Sequence, residues 1–153
     1  MNVFVSDEQD EPLDAAGLRH MAEVVLAAEG LPETTEVAVL LVSADQIAEY
    51  NARFMDRDGP TDVLAFPLED LQPGRYPTPG PGEPPLGIGD VFLCPSEIKR
   101  RAPAMGVVFE DFLYLLAVHG ILHLLGYEHD DEESATRMER REEELLAMVG
   151  RAL

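Results

Sequence analysis

Cysteine, basic residues and long apolar runs are all scarce in this sequence of 153 residues. The single cysteine, Cys94, excludes an internal disulfide and a cysteine-rich structural zinc site, and we expect it to be a small buried apolar residue. No apolar run is long enough to span a bilayer, and the first residues lack the basic start and apolar stretch of a signal peptide. We therefore expect a cytoplasmic protein.

Acidic residues far outnumber basic ones, 30 against 11, which gives a formal net charge of −19 at pH 7. A field of this sign repels polyanions, so the surface as a whole is unsuited to indiscriminate nucleic-acid binding and any RNA site must be locally basic. Two small clusters meet that condition, Arg53 with Arg57, and Lys99 with Arg100 and Arg101. The guanidinium group of arginine can donate two parallel hydrogen bonds to phosphate oxygens.

The chain length suits one domain, which we expect to span residues 1–153. A proline- and glycine-rich segment near 69–86 cannot form a regular element, and we expect a mobile loop between the strands of a hairpin. Hydrophobic patterning and capping residues predict strands over 2–5, 37–42, 61–67 and 87–94, and helices over 14–29, 44–54, 97–101, 108–125 and 132–149.

Three of the four histidines, His119, His123 and His129, fall within eleven residues. Residues four apart lie on one face of a helix, so His119 and His123 are predicted to project side by side. Gly126 can end that helix in a left-handed conformation and return His129 toward the first two. Three imidazoles around one point favour zinc or another divalent transition metal with a coordination position left open, which is the catalytic arrangement. The fourth histidine, His20, is interpreted as a surface residue.

Gly120 separates this motif from zinc proteases of the pattern H-E-x-x-H-x-x-G-x-x-H, whose glutamate beside the first histidine is the general base. Without that carboxylate, peptide hydrolysis by the protease mechanism loses its proton acceptor. The helix over 108–125 is apolar on almost every side and is predicted to be buried. Buried histidines need a partner for each ring nitrogen, and a metal supplies one of them, which favours the metal interpretation.

The stretch from His119 to Asp130 resembles the H-G-x-L-H-L-x-G-Y-x-H-D signature of the YbeY family, bacterial single-strand endoribonucleases implicated in rRNA maturation and ribosome quality control. Segments 51–67 and 86–95 are similar to two further stretches of that family, so the resemblance runs nearly end to end. It implies an α/β (α+β) fold, with a small mixed sheet of about four strands covered by helices and the metal site at the end of a buried central helix.

The resemblance also implies a ligand set and partners. It implies one zinc ion per chain, held by His119, His123 and His129. It implies single-stranded RNA as the substrate, in the form of an rRNA precursor, with the ribosomal small subunit or assembly factors as partners. Many family members carry an arginine considered important for activity at the position that is Met55 here. Either Arg57 or Arg53 supplies that charge from a shifted position, or this branch works without it; Arg57, nearer the turn, is preferred.

The leading hypothesis is zinc-assisted cleavage of a phosphodiester in single-stranded RNA, with Arg57 offsetting charge in the transition state. Asp130 is preferred over Glu128 and Asp131 for relaying a proton or orienting a histidine, although acidic residues also suit the start of a capped helix. Two alternatives stay open. One is a non-catalytic ribosome-assembly or RNA-binding factor with a structural zinc, and the other is a metal-dependent hydrolase of another substrate, of which Gly120 disfavours only the peptide version.

Overall fold

The computed structural model describes residues 1–152, and within this range it contains five helices and one four-stranded mixed sheet. This confirms the predicted α/β class. The elements, in chain order, are β1 Asn2–Asp7, α1 Ala15–Ala28, β2 Glu36–Leu41, α2 Ala44–Met55, β3 Val63–Pro67, β4 Gly87–Leu93, α3 Pro95–Met105, α4 Phe109–Leu124 and α5 Glu132–Met148.

The strand order in the sheet is β1-β2-β4-β3. The first three of these strands are mutually parallel, whereas β3 runs antiparallel to β4 and forms one edge. Helix α4 packs against β3 and β4 on one side and against α1, α3 and α5 on the others. Ten of its sixteen residues are buried, so the apolar stretch predicted to be a buried helix is the central helix of the fold.

Helix α3 is the element that differs most from its predicted extent, since it continues to Met105 rather than ending near residue 101. Pro95 begins the helix, where its missing N–H costs nothing, and Gly106 ends it in a left-handed conformation at φ 71°. Pro103 lies in the last turn of this helix. Within residues 1–152, no single helix is long and apolar enough to cross a membrane; only α3 and α4 together, bent by 110°, meet the length and composition requirement.

In the long connection between β3 and β4, one isolated β-bridge pairs Gln72 with Arg75. It joins adjacent antiparallel strands, as predicted for a hairpin. Two contacts join this segment to the rest of the fold, since Leu71 is buried in the core and the Tyr76 hydroxyl donates to Glu29 at 2.6 Å. These contacts bring the loop against the end of α4.

Candidate metal centre

His119, His123 and His129 are close enough to hold one metal ion, since one nitrogen from each lies within 4.8 Å of the others. The Nε2 atoms of His119 and His123 are 3.0 Å apart. The His129 ring centroid lies 5.4 Å from that of His119 and 4.8 Å from that of His123. Two nitrogens bound to one tetrahedral zinc at about 2.0–2.1 Å are separated by about 3.3 Å, so the observed spacing fits such an ion.

The turn that brings His129 back depends on Gly126. This residue has φ 97°, and the N–H of Tyr127 donates to the carbonyl of Leu122, closing the end of α4. A Cβ at position 126 would collide with the backbone carbonyl oxygen of Leu71, which comes from the β3–β4 loop. Both the conformation and the close approach therefore require glycine here, and the predicted helix-ending role of Gly126 is confirmed.

The outer nitrogens of the two helical histidines are both engaged. Nδ1 of His119 lies 2.7 Å from Oε2 of Glu142, and Nδ1 of His123 lies 2.9 Å from the carbonyl oxygen of Tyr127. Because a carboxylate and a carbonyl only accept, each Nδ1 carries the hydrogen and each Nε2 presents a lone pair. Two lone pairs facing each other at 3.0 Å repel, and a cation bound between them removes the repulsion.

Protonation is a poor alternative to a metal at His123. Burial, followed by the nearby imidazoles of His119 and His129, lowers the pKa of His123 to about 4. The ring is therefore neutral at physiological pH, which is the form that binds a metal. The donor set, its tautomers and its spacing all fit a divalent transition ion.

The site lies in a groove of about 570 Å³ rather than inside the core. His119 and His123 are half-buried and His129 is exposed, so the expectation that the two helical histidines are buried along with their helix needs correction. The reason is that α4 packs on the edge strand β3, and the space beyond this edge is open. The groove is lined by the end of α2, the segment 57–61, β3, α4 and His129.

Arg57 is the predicted cation that reaches this groove. Asp56 ends α2 in a left-handed conformation at φ 53°, and the Arg57 N–H then donates to the carbonyl of Asn51. The Asn51 side chain in turn donates to the carbonyl of Gly59 at 3.0 Å, which fixes the turn. Within residues 1–152 the Arg57 guanidinium has no hydrogen-bond or ion-pair partner, and Met55 lines the groove beside it.

The other basic residues singled out from the sequence are held in ion pairs and do not line the groove. The pairs are Arg53 with Glu49, Lys99 with Glu11, Arg100 with Glu97, and Arg101 with Asp62. All three basic residues of the triplet are therefore paired with carboxylates of the same chain.

The acidic candidates after α4 have different surroundings. Glu128 lines the groove, whereas Asp130 is exposed and lies outside its lining. Asp131 caps α5 by accepting from the Ser134 N–H at 2.7 Å, a bond that lowers the pKa of its carboxyl group. None of these acids contacts a histidine Nδ1, since that position beside His119 is taken by Glu142.

Sequence reasoning missed Glu142, although a signal was present. Helix α5 buries Met138, Leu145 and Leu146 together with Glu142. A glutamate at helical spacing from these apolar residues faces the core, where it needs a specific partner. His119 is that partner, in the manner of the carboxylates that orient metal-binding histidines.

A second missed residue, Glu29, joins three distant segments next to the site. Its carboxylate accepts from the hydroxyls of Tyr76 and Tyr127 and from Nε of Arg141, and its side chain is only 4% exposed. Burial and the Glu29 charge raise the pKa of Tyr127 to about 12, so its hydroxyl remains a donor. Glu29 thus steadies the residue whose carbonyl accepts from His123.

Gly120 has a steric reason to lack a side chain. A Cβ at this position would lie 2.6 Å from Cγ1 of Val91 in β4, closer than packed carbon atoms approach. The glutamate that a zinc protease places here therefore does not fit against this sheet. The packing agrees with the sequence argument against the protease mechanism.

Comparison with known proteins gives a consistent picture. A family model described as Endoribonuclease YbeY matches residues 4–150. Proteins named Endoribonuclease YbeY from Acidothermus cellulolyticus and Thermobifida fusca are 40% and 39% identical to the chain, over 95% and 100% of its length and 90% and 97% of theirs. The solution structure of a Thermotoga maritima protein aligns with a TM-score of 0.61 at 27% identity, covering 95% of this chain and 90% of that one.

Proposed function

Because the chain belongs to the endoribonuclease YbeY family, whose members cleave RNA internally, we propose that it is a zinc-dependent endoribonuclease specific for single strands. We further propose that it acts in rRNA maturation and ribosome quality control. We assign the zinc to His119, His123 and His129. The rRNA precursor as substrate, and the ribosomal small subunit or assembly factors as partners, are inferred from family membership.

The observation that carries the metal assignment is the approach of the His119 and His123 Nε2 atoms to 3.0 Å. Glu142 and the Tyr127 carbonyl hold the two rings so that these lone pairs converge. Three imidazole ligands suit zinc, and the groove leaves room for a substrate oxygen at the remaining position.

A zinc ion bound here supplies Lewis acidity toward a phosphoryl oxygen and lowers the pKa of coordinated water. The chain itself supplies charge and position. Arg57, which lies in the groove without a partner, binds the phosphate and offsets the charge that develops in the transition state. Asp130 is our first candidate for proton transfer, and Glu128, which lines the groove, is the competing one.

Cleavage of a defined RNA by matched variants tests this function. The zinc-loaded protein should cut a labelled single-stranded RNA and leave the same sequence intact in a duplex. His123→Ala should abolish both zinc binding and cleavage while the protein stays folded, and His20→Ala, which alters the exposed histidine of α1, should change neither. Full cleavage by the His123→Ala protein would overturn the proposal, as would equal cutting of duplex RNA.

The catalytic residues are tested in the same assay. Arg57→Gln should lower the cleavage rate at unchanged zinc content, since Arg57 is not a metal ligand. Asp130→Asn and Glu128→Gln then identify the proton-transfer group, because the one that matters flattens the pH dependence of the rate. Unchanged rates in all three variants would leave the metal site without assigned catalytic side chains.

A further inference from the structure

The groove is poor in positive charge for a nucleic-acid site. Arg57 is its one arginine, and Asp58 and Glu128 lie in the same lining. The basic triplet at 99–101 is held in ion pairs, and the net charge of the chain is −19. Neutralisation of phosphates, the usual source of affinity for RNA, is therefore small here, and another interaction has to contribute.

Phe54, the residue before the groove-lining Met55, offers that interaction outside the groove itself. Its ring is 57% exposed although it lies in the last turn of α2, and the adjacent Met55, 46% exposed, lines the groove itself. Phe54 also packs edge-on against Phe66 of β3, with the ring centroids 5.5 Å apart. Phe66 points to the face of β3 opposite to Val63, which meets Gly120 of α4, so Phe54 lies across this edge strand from the histidines.

The exposed ring is held in place by its neighbours. Tyr50 stacks near it with centroids 6.2 Å apart and an interplanar angle of 25°, and the Arg53 guanidinium lies 5.8 Å from its centroid. A fixed aromatic ring next to an arginine is the type of surface on which unpaired bases stack, whatever their sequence. The fixed position lowers the entropy lost on binding.

We propose that Phe54, with Arg53 beside it, is the stacking platform for an unpaired base of the RNA whose phosphate occupies the groove. This inference rests on the endoribonuclease function proposed above. Duplex RNA keeps its bases inside the helix and cannot make this contact. The platform therefore gives this chain a direct means of selecting single strands.

Binding of a fluorescent, 2′-O-methylated single-stranded oligonucleotide to the zinc-loaded protein measures the contact. Phe54→Leu keeps an apolar side chain against Tyr50 and Phe66 but removes the stacking ring, and should weaken binding about tenfold. Phe54→Tyr should bind like the wild type. The matched control is Phe4→Leu, which alters a ring that is 63% exposed on β1, at the opposite edge of the sheet, and should have no effect.

A series of oligonucleotides with one abasic nucleotide at successive positions locates the base. At one position the abasic probe should bind the wild type about tenfold more weakly, with no further loss in Phe54→Leu. Salt dependence gives an independent check. Lowering phosphate contacts by Arg57→Gln should reduce the slope of log K against log salt by about 0.7, whereas Phe54→Leu should leave it unchanged.

The outcomes separate this inference from the function on which it rests. If the wild type cleaves single-stranded RNA but Phe54→Leu binds and cleaves as well as the wild type, the platform is wrong and the nuclease stands. Equal losses in Phe54→Leu and Phe4→Leu would also overturn the platform. If the wild type neither binds nor cleaves single-stranded RNA, both proposals fail together.

Discussion

Nδ1 of His119 and Oε2 of Glu142 lie 2.7 Å apart although 23 residues separate them in the sequence. The contact joins the last turns of α4 to the middle of α5, so one of the three clustered histidines is oriented by a helix that contributes none of them. The carboxylate fixes the tautomer of His119 and raises the basicity of its free nitrogen.

Glu142→Gln should therefore lower zinc affinity by about 10–100-fold. A neutral amide raises the basicity of the His119 imidazole less than a carboxylate does. Competition with a fluorescent chelator measures the change. Glu143→Gln, at the exposed neighbouring position, is the control and should retain wild-type affinity. Identical zinc affinities in the two variants would show that Glu142 has a packing role only.

Glu29 is expected to matter for stability as well as for the site. Glu29→Gln removes the buried charge that balances Arg141 and one acceptor oxygen for the two tyrosines, so the free energy of unfolding should fall by about 2 kcal/mol. Urea unfolding monitored by circular dichroism measures it. The exposed Glu33→Gln is the control, and a loss no larger than in that variant would contradict the role assigned to Glu29.

The tyrosines around Glu29 predict how stability changes in alkali. Burial and Glu29 raise the pKa of Tyr76 above its usual value and that of Tyr127 to about 12, whereas an unfolded tyrosine titrates near pH 10. The folded state thus keeps protons that the unfolded chain loses, so this contribution is fully present below pH 10 and declines as the pH rises toward 12. The double variant Tyr76→Phe/Tyr127→Phe should be less stable than the wild type at pH 8. Its free energy of unfolding, measured by urea titration, should also decline less steeply above pH 10. A decline as steep as in Tyr50→Phe would contradict this account.

Proton release on zinc binding is predicted from His123. Because its pKa is about 4 in the metal-free protein, His123 carries no proton to lose between pH 5 and pH 8. Zinc binding at pH 6 should therefore release at most two protons from the three histidines. Calorimetry in buffers of different ionisation enthalpy counts them, and a value near three would show that the pKa of His123 is not lowered.

The contact between Gly120 and Val91 predicts a coupled pair of substitutions. Gly120→Ala gains helix propensity of about 1 kcal/mol but forces a Cβ against Cγ1 of Val91, for a net loss of roughly 1–2 kcal/mol. Adding Val91→Ala should relieve the clash, so the double variant loses less than the sum of the single losses. Gly120→Ala combined with Val37→Ala, a core valine of β2, should be additive. Additivity in both pairs would contradict the steric explanation.

The features that the sequence predicts correctly depend on residues close together along the chain. Ser43 and Gln46 form the predicted capping box of α2, and the four-residue spacing of His119 and His123 places both on one face of α4. The residues that support the site were not predicted, because their positions depend on how distant elements pack. Glu29 meets Arg141 across 112 residues, and no pattern along one helix encodes that contact.

The exposure of the site depended on packing in the same way. Helix α4 is apolar on almost every side, as the sequence indicates, yet His119 and His123 face a groove because β3 is an edge strand. The sequence of β3 does not say that it pairs on one side only. The exposure of Phe54 likewise depends on how α2 packs beside β3, which no local sequence pattern indicates.

The three histidines that could hold a metal ion lie between residues 119 and 129, whereas the carboxylate that orients His119 comes from another part of the fold. An unfolded chain keeps the three imidazoles within a short loop, so under the proposed zinc assignment it too binds the ion, although without the orienting carboxylate. Binding to both states means that zinc raises the unfolding temperature less than its affinity for the native protein implies. The ion can then be acquired during synthesis, before α5 has been made, and be held more tightly once folding is complete.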